Sequence, residues 1–218
     1  MIDFYCWRSG NNRKIFMMLE EVGLPYRRHI VHLGKKEQKL PEYHAINPNG
    51  KVPAIIDQEG PGGAPFTVIE SGAILIYLAE KSGQFHPEDK RQWFDIMQWM
   101  MFQMGAPGAL FTEAHYFYSR ADEPDMDYPY NRYLDEAHRI LGVIDTRLSV
   151  SEYIAGDTYS IADMALWPHC GTVARFGATL DEDYPDILRW FDQVGERPAT
   201  QRAAAIIAEV TEEAAAAT

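Results

Sequence analysis

The spacing of hydrophobic and polar positions changes near residue 85. Before that point, short apolar runs bounded by turn residues are typical of β-strands, and they occupy residues 2–6, 26–31, 52–56 and 66–69. Apolar positions at helical spacing lie between the first two runs, at Ile15, Met18, Leu19 and Val22, and again after the fourth run, over residues 71–81. The order is therefore βαβ followed by ββα. It predicts two parallel, adjacent strands and then a hairpin.

After residue 85 the strand patterns stop and amphipathic helices follow one another. Helical spacing covers residues 88–104, 128–148, 185–196 and 199–208, and a further helix opens at Ser160. This serine, with Asp163 three positions later, resembles a capping box. The sequence MGAPG breaks the helical run at residues 104–108. We therefore predict two domains, an α/β domain over residues 1–84 and an all-α domain over residues 88–218.

Composition narrows the classes of function. Of the 218 residues, 46% are hydrophobic and 24% are charged, which is ordinary for a globular protein, and the net charge is -12. Such an acidic chain does not favour nucleic acid or anionic membranes as partners. Its two cysteines, Cys6 and Cys170, are far apart, which favours a reducing cytoplasm and predicts no metal site. No apolar run approaches the ~20 residues of a membrane span, and no secretory signal is visible.

Three motifs in a fixed order extend this interpretation. They are NPNGKVPAI at residues 47–55, ESGAILIYL at residues 70–78 and GDTYSIAD at residues 156–163. In this order they resemble the cytosolic glutathione transferase family, and the N-terminal stretch is most similar to its Nu-class bacterial members, which include disulfide-bond reductases. The resemblance spans both predicted domains. It implies a thioredoxin-like N-terminal domain that binds glutathione, an all-helical C-terminal domain and a homodimer.

Glutathione carries two carboxylates, an ammonium group and a thiol, and each needs a matching group on the protein. Ser71 begins a predicted helix, where free backbone N–H groups and the positive end of the helix dipole favour a carboxylate. Glu70 beside it offers a negative partner for the ammonium group. Without the neighbouring motifs, the same dipeptide would be interpreted as an ordinary N-cap next to an exposed acid. With them, we predict that Glu70 and Ser71 bind the γ-glutamyl end.

By resemblance, the peptide bond between Val52 and Pro53 is cis, although X-Pro bonds in folded proteins are cis only about 5–6% of the time. The backbone of Val52 would then pair with the cysteinyl residue of glutathione like an added strand. Gln38 and Lys51 are candidates for holding the glycyl end. The alternative for both side chains is solvent-exposed surface.

The thiol of glutathione needs a hydrogen-bond donor, because lowering a thiol pKa from near 8.5 by ~2 units takes roughly 2.7 kcal/mol. Hydrogen bonds to a thiolate are of that size. Nu-class relatives carry a Thr or Ser and an Asn between the first strand and the first helix, so we predict Ser9 and Asn11 as the catalytic residues. The alternative roles are a turn residue and an N-cap. Two rivals, Tyr5 and Cys6, are interpreted as strand residues.

A second ligand and a co-substrate pocket are also predicted. By resemblance, an arginine at the position of Arg132 reaches the glutathione site and pairs with a carboxylate of a second glutathione or of glutathione disulfide. The alternative is an ordinary surface arginine. Aromatic and apolar side chains are candidates for the pocket wall, although core packing is their more common role: Trp7, Met101, Phe102, His115, Tyr116, Phe117 and Tyr118.

The sequence therefore predicts a homodimeric glutathione transferase of Nu-like type with glutathione-dependent disulfide-bond reductase activity. The nucleophile would be the thiolate of bound glutathione rather than a protein thiol, and the second substrate would be an electrophile, a disulfide or a thioether. Two alternatives stay open. One is a glutathione-dependent lyase or etherase acting on aromatic thioethers or ethers, and the other is a non-catalytic interaction module with the transferase fold.

Overall fold

A four-stranded sheet forms the centre of the first part of the chain. The computed structural model describes residues 1–216, and the strands are β1 (Ile2–Cys6), β2 (Tyr26–Ile30), β3 (Ala54–Asp57) and β4 (Phe66–Ile69). They stand in the order β2-β1-β3-β4; β1 and β2 are parallel, and β3 is antiparallel to both of its neighbours. The predicted parallel pair and the predicted hairpin are confirmed.

Three helices accompany the sheet. The first, α1 (Gly10–Val22), connects β1 to β2; α2 (Pro41–His44) follows two short 3-10 turns; and α3 (Ser71–Ser82) follows β4. Helix α1 ends at Gly23, which adopts the left-handed conformation at φ 67° and donates its N–H to the carbonyl of Leu19.

The side chains of β1 alternate between two environments. Ile2, Phe4 and Cys6 are buried on the side of the sheet that carries α1, where the rings of Phe4 and Phe16 lie 4.8 Å apart. Tyr5 is only partly buried and lies on the opposite face. The sheet thus has its hydrophobic core against α1 and leaves its other face for more polar side chains.

Residues 87–196 form a second compact unit that consists of helices and loops. Its helices are α4 (Lys90–Gly105), α5 (Pro107–Tyr118), α6 (Asp127–Leu148), α7 (Ile161–Cys170), α8 (Leu180–Asp183) and α9 (Pro185–Gly195). The capping box predicted for α7 is confirmed, because Ser160 Oγ accepts from Ala162 N and the Asp163 carboxylate accepts from Ser160 N.

The sequence patterns do not predict α5. The break at residues 104–108 is present, but a new helix begins at once because Pro107, which has no N–H, suits the first position of a helix. The helix carries aromatic residues on its exposed side as well as on its buried side. Tyr116 and Tyr118 are exposed while Phe111 is buried, so the helical period is hidden in the sequence.

The last helix, α10 (Pro198–Ala216), belongs by its contacts to the first compact unit. It packs along α1, where it buries Val210 fully and where Arg197 forms an ion pair with Glu21 at 2.7 Å. The two-domain division, with an all-α domain over residues 88–218, stays a prediction. The compact units differ from it at this helix, because the apolar face of α10 covers α1.

Candidate functional site

Three strands bring their neighbouring segments to one end of the sheet. Tyr5 of β1 stands beside Ala54 of β3, and Ala54 stands beside Ile69 of β4. The positions that come next at that end are Pro53, just before β3, and Glu70, just after β4. Because β1 also runs toward this end, the loop that leads into α1 begins there. The predicted thiolate-binding and γ-glutamyl-binding residues therefore share one end of the sheet.

Ser9 is held by a buried asparagine. It is the N-cap residue of α1, but its side chain makes no cap hydrogen bond. Instead, Ser9 Oγ accepts a hydrogen bond from Asn12 Nδ2 at 2.6 Å, and Asn12 Oδ1 accepts one from the backbone N–H of Trp7 at 3.1 Å. Since an N–H can only donate, Trp7 fixes which end of the amide faces Ser9. The single proton of the Ser9 hydroxyl is left to donate to another acceptor.

Asn11 lies in the first turn of α1 and is partly exposed, whereas Asn12 is fully buried. The N-cap role considered for Asn11 therefore falls to Ser9. An exposed side-chain amide beside the positive end of a helix dipole is suited to donating to an anion. The geometry is compatible with the predicted role of Asn11 as a second donor to a thiolate.

The peptide bond between Val52 and Pro53 is cis, as the resemblance implies. The residue before it is anchored, because the carbonyl oxygen of Lys51 accepts hydrogen bonds from Tyr43 Oη and Asn47 Nδ2, both at 2.7 Å. Val52 is partly exposed, and the side chain of Lys51 is exposed. A firmly held backbone at the end of the sheet is thus available for an extended ligand.

Gln38 lies against the same loop. A Cβ atom on Gly50 would come within 2.9 Å of the carbonyl oxygen of Gln38, so the two backbones are in close contact. This position requires glycine for a second reason, because its φ is 60°. Within residues 1–216, Gln38 Oε1 is buried without a hydrogen-bond partner. That oxygen can accept a hydrogen bond from a donor on a ligand.

Glu70 has a backbone conformation that residues with side chains rarely adopt, with φ 68° and ψ 122°. Such strain costs about 1–3 kcal/mol and persists only where the surrounding structure holds it. Its carboxylate is exposed and lies 3.4 Å from Asn49 Nδ2. Ser71 follows as the first residue of α3, and no side chain caps this helix. The first N–H groups of α3 are therefore placed to receive an anion.

A buried lysine lies behind Ser71. Lys14 of α1 is only 1% exposed, and its Nζ donates a hydrogen bond to Ser71 Oγ over 3.3 Å. Burial lowers the pKa of Lys14 to about 7, and the negative charge of Glu70 opposes that shift. At neutral pH the charged and neutral forms of this side chain are therefore both populated, directly beside the start of α3.

Lys14 and Asn12 are functional candidates that the sequence reasoning does not select. A signal for Lys14 exists, because it precedes Met18 by four positions and so shares the apolar stripe of α1, where a lysine must be buried or partnered. No comparable signal exists for Asn12. A polar residue in the first turn of a helix is ordinarily exposed, whereas this one is fully buried and bonds Ser9 three positions earlier.

The two rivals for the thiolate-binding role have the environments of strand residues. The ring of Tyr5 stacks on His29 at 4.7 Å, and both line a cavity of about 480 Å³ on the face of the sheet away from α1. Burial raises the pKa of the Cys6 thiol to about 12, and it does the same for Cys170. Neither cysteine has the exposed, electropositive surroundings of a nucleophile.

The other predicted residues are distributed over both compact units. Trp7 is buried in the first unit, with its ring 4.6 Å from that of His32. In the second unit, Arg132 is exposed on α6 and lines a shallow cavity of about 350 Å³. The pocket-wall candidates there are exposed at Met101, His115, Tyr116 and Tyr118 and half-buried at Phe102 and Phe117. They stay candidates for contact with a second substrate.

Metal-binding clusters and membrane-spanning helices are both absent from the described part of the chain. Among residues 1–216, no group of three or more His, Cys, Asp or Glu side chains is arranged to hold a metal ion. None of the helices described there is both long and apolar enough to cross a membrane.

Comparison with known proteins decides the family. The Glutathione S-transferase N-terminal domain matches residues 9–81, and the Glutathione S-transferase C-terminal domain matches residues 109–198. The chain belongs to the glutathione S-transferase family. Among the relatives of this transferase, Disulfide-bond oxidoreductase YfcG of Escherichia coli strain K12 is 40% identical over 204 residues, which cover 93% of this chain and 94% of the relative.

Solved structures of bacterial transferases have the same fold. A glutathione transferase family member from Pseudomonas fluorescens with two glutathione bound has a TM-score of 0.87 and 39% identity, covering 93% of this chain and 91% of that one. A glutathione transferase from Pseudomonas putida with one glutathione disulfide bound per subunit has a TM-score of 0.87 and 38% identity, covering 93% and 90%. The predicted fold and the resemblance to Nu-type disulfide-bond reductases are confirmed.

Proposed function

We propose that this glutathione S-transferase is a glutathione-dependent disulfide-bond reductase in which the thiolate of bound glutathione is the nucleophile. The observation that carries the proposal is the orientation of Ser9. Because buried Asn12 donates to Ser9 Oγ, the hydroxyl proton is left to donate to sulfur beside the N-terminus of α1. The relative named as a disulfide-bond oxidoreductase and the neighbours with two glutathione or a glutathione disulfide bound support it.

The reaction consumes two molecules of glutathione for each disulfide. The bound thiolate attacks one sulfur of the substrate disulfide, the S–S bond breaks, and the leaving thiolate takes up a proton. The product is a mixed disulfide between glutathione and the substrate. A second glutathione thiolate attacks the glutathione sulfur of this mixed disulfide, which releases the second substrate thiol and glutathione disulfide. No protein cysteine takes part, which agrees with the buried positions of Cys6 and Cys170.

Each part of glutathione has a proposed partner. The γ-glutamyl carboxylate binds at Ser71 and the start of α3, and the ammonium group binds the exposed carboxylate of Glu70. The backbone of Val52, before Pro53, pairs with the cysteinyl residue. The glycyl end lies toward Gln38, whose buried oxygen can accept from the glycyl N–H, and toward the exposed ammonium of Lys51.

Arg132 is the proposed partner of a second glutathione. Its guanidinium is exposed on α6, and a planar guanidinium can bind a carboxylate with two parallel hydrogen bonds. The neighbour structures with two glutathione or glutathione disulfide bound support a second site of this kind. The cytoplasm, where reduced glutathione is abundant and cysteines stay free, is the proposed location.

The test of the thiolate site is the Ser9→Ala/Asn11→Ala double variant. We expect kcat/KM for the reduction of 2-hydroxyethyl disulfide by glutathione to fall by about a hundredfold or more, as when a donor to a reacting anion is removed elsewhere. The matched control is Ser149→Ala, whose exposed hydroxyl bonds only a carbonyl of its own helix, and it should keep full activity. Full activity in the double variant would refute the assignment.

The test of the nucleophile is the Cys6→Ala/Cys170→Ala double variant. We expect it to retain disulfide reduction at a kcat/KM close to that of the wild type, measured on protein whose folding has been verified by circular dichroism. Loss of activity in folded protein would assign the chemistry to a protein thiol instead.

A homodimer is proposed as well. Phe94 and Met101 are 64% and 57% exposed and stand seven positions apart on α4, so they lie on one face of that helix. A second copy of the chain can cover this face. Sedimentation analysis should show a dimer for the wild type and a smaller species for Phe94→Glu/Met101→Glu; a wild-type monomer would contradict the proposal.

A further inference from the structure

We propose that Lys14 is a positioning residue of the glutathione site: its buried ammonium occupies an acceptor position of the Ser71 hydroxyl, so that the hydroxyl proton points to the γ-glutamyl carboxylate and binding is coupled to uptake of a proton. This inference rests on the proposed function, because it assigns the carboxylate to Ser71. It adds a buried lysine of α1 to the proposed site.

The donor and acceptor properties of the two groups carry the argument. An ammonium group has three N–H donors and no acceptor, so in the contact at 3.3 Å it is Ser71 Oγ that accepts. A hydroxyl has one proton, and that proton is then left for a different acceptor. Ser71 is 6% exposed and is the first residue of α3, a helix whose start no side chain caps. A carboxylate bound there receives the hydroxyl proton as well as backbone N–H groups.

The neutral form of Lys14 has the opposite effect. An uncharged amine has a lone pair that can accept the Ser71 proton, and the carboxylate of a ligand would then face the lone pairs of the hydroxyl oxygen. The bound carboxylate also stabilises a nearby positive charge by simple attraction. Ligand binding and protonation of Lys14 therefore favour each other. Because the pKa of Lys14 is about 7 in the free protein, affinity should weaken as the pH rises through neutrality.

Apart from Glu70, the charged groups near α1 considered below form ion pairs with other side chains. Just before α3, the negative charge of Glu70 raises the pKa of Lys14 and so opposes the effect of burial. Arg197, just before α10, and Arg202 on α10 form ion pairs with Glu21 and Glu20 near the far end of α1.

The sheet presents two more carboxylates. Asp57 of β3 is held by Tyr77 and Lys81. Asp3 of β1 is paired with His29. Glu70 and a bound ligand are thus the charges expected to govern the titration of Lys14.

The experiment measures the binding of S-methylglutathione, which has no thiol to titrate. Calorimetry in buffers with different ionisation enthalpies gives the number of protons taken up at about pH 6 and at about pH 8. We expect the wild type to take up a larger fraction of a proton at the higher pH and to bind about tenfold more weakly there. The amino group of the ligand also titrates, so variants isolate the contribution of Lys14.

Two variants and one control separate positioning from structure. Lys14→Met keeps the volume but has no charge, and we expect it to bind about tenfold more weakly at the lower pH and to lose most of the proton uptake. Ser71→Ala keeps Lys14 but removes the hydroxyl, and it should lose part of the uptake, since only the attraction between ammonium and carboxylate remains. Lys90→Met, at an exposed position on α4, should match the wild type at both pH values. If Lys14→Met does not fold, Ser71→Ala against the wild type decides the question.

The outcomes distinguish this inference from the proposed function. Absence of binding by the wild type at every pH would overturn the glutathione site, and the role of Lys14 with it. Binding with the same proton uptake in the wild type, Lys14→Met and Ser71→Ala would overturn the role of Lys14 alone. Binding that weakens equally at both pH values in Lys14→Met, with uptake unchanged, would make the lysine a structural residue and overturn the proposal in the same way.

Discussion

Two hydroxyls at the end of the sheet share one arrangement. Ser9 accepts from Asn12 and Ser71 accepts from Lys14, and both donors are buried within the first turns of α1. In each case a donor fixed by the interior leaves the hydroxyl proton for an anion outside. At the proposed site, buried residues of α1 therefore set which way the two hydroxyl protons can be donated.

Replacing the first of these buried donors tests its part in the arrangement. In Asn12→Ala, the backbone N–H of Trp7 loses its acceptor, so we expect the free energy of unfolding to fall by about 1–3 kcal/mol. We also expect kcat/KM for disulfide reduction to fall, because the proton of Ser9 is no longer directed. Urea unfolding and steady-state kinetics measure both. Asn131→Ala, at an exposed position, is the stability control, and equal stability of the two variants would contradict the prediction.

The buried charge of Lys14 has a cost that depends on pH. Its pKa is about 7 in the folded protein and near 10.4 in an unfolded chain, so between these values the folded state binds fewer protons and the stability contributed by this group rises with pH. Lys14→Met has no such dependence. We expect it to be more stable than the wild type by roughly 1–4 kcal/mol at about pH 6, and the difference to shrink toward about pH 9.

Urea unfolding of the two proteins side by side measures this difference. The buried thiols and tyrosines are common to both proteins, so their own pH dependence cancels. A difference that is constant with pH would contradict the lowered pKa of Lys14.

Among the elements, those with a clear period are predictable from sequence and those defined by tertiary packing are not. The strand over residues 66–69 and the long helix α6 follow from apolar spacing and turn residues. Helix α5 does not, because aromatic residues stand on both its buried and exposed sides. The functional motifs are predictable by resemblance, since their residues are contiguous. Lys14 is different, because its partner Ser71 is 57 positions away in the sequence and only the fold brings the two together.

Helix α7 begins with the capping box formed by Ser160 and Asp163. The carboxylate of Asp163 is fully buried and accepts hydrogen bonds from the backbone N–H groups of Ile154 and Ser160 and from the indole N–H of Trp190. One side chain thus joins the start of α7 to the preceding loop and to α9.

Truncating this box at two points should give two different losses. Ser160→Ala removes one cap and should lower the free energy of unfolding by about 1 kcal/mol. Asp163→Ala leaves several buried donors without an acceptor and should lower it by about 3–5 kcal/mol. Urea unfolding measures both, with exposed Asp157→Ala as the control. Equal losses in the two variants would show that the carboxylate has no role beyond the cap.

At the scale of the whole molecule, the first compact unit is assembled from two distant parts of the chain. Residues 1–86 supply the sheet and its helices, and the chain from Arg197 onward supplies α10. Ion pairs at 2.7–2.9 Å join the two parts, among them Arg202 to Glu20 and Arg28 to Glu209. Exposed pairs of this kind contribute little, about 0–1 kcal/mol each. Val210 of α10 is fully buried, and burying a valine side chain contributes more, about 1.5–3 kcal/mol.

The sequence alone does not reveal this assembly, because α10 looks like one more amphipathic helix after several others. Its consequence is that residues 1–86 should not fold on their own. We expect a fragment of residues 1–86 to lack a cooperative thermal transition, and the same fragment joined through a flexible glycine-serine linker to residues 197–216 to regain one. Near-ultraviolet circular dichroism during heating measures both.

The matched control is the joined fragment with Val210→Asp, which keeps the length and helix propensity nearly unchanged but places a charge on the buried face of α10 and should abolish the transition. If the fragment of residues 1–86 unfolds cooperatively at the temperature of the joined one, α10 is an accessory of the first compact unit rather than a part of its core.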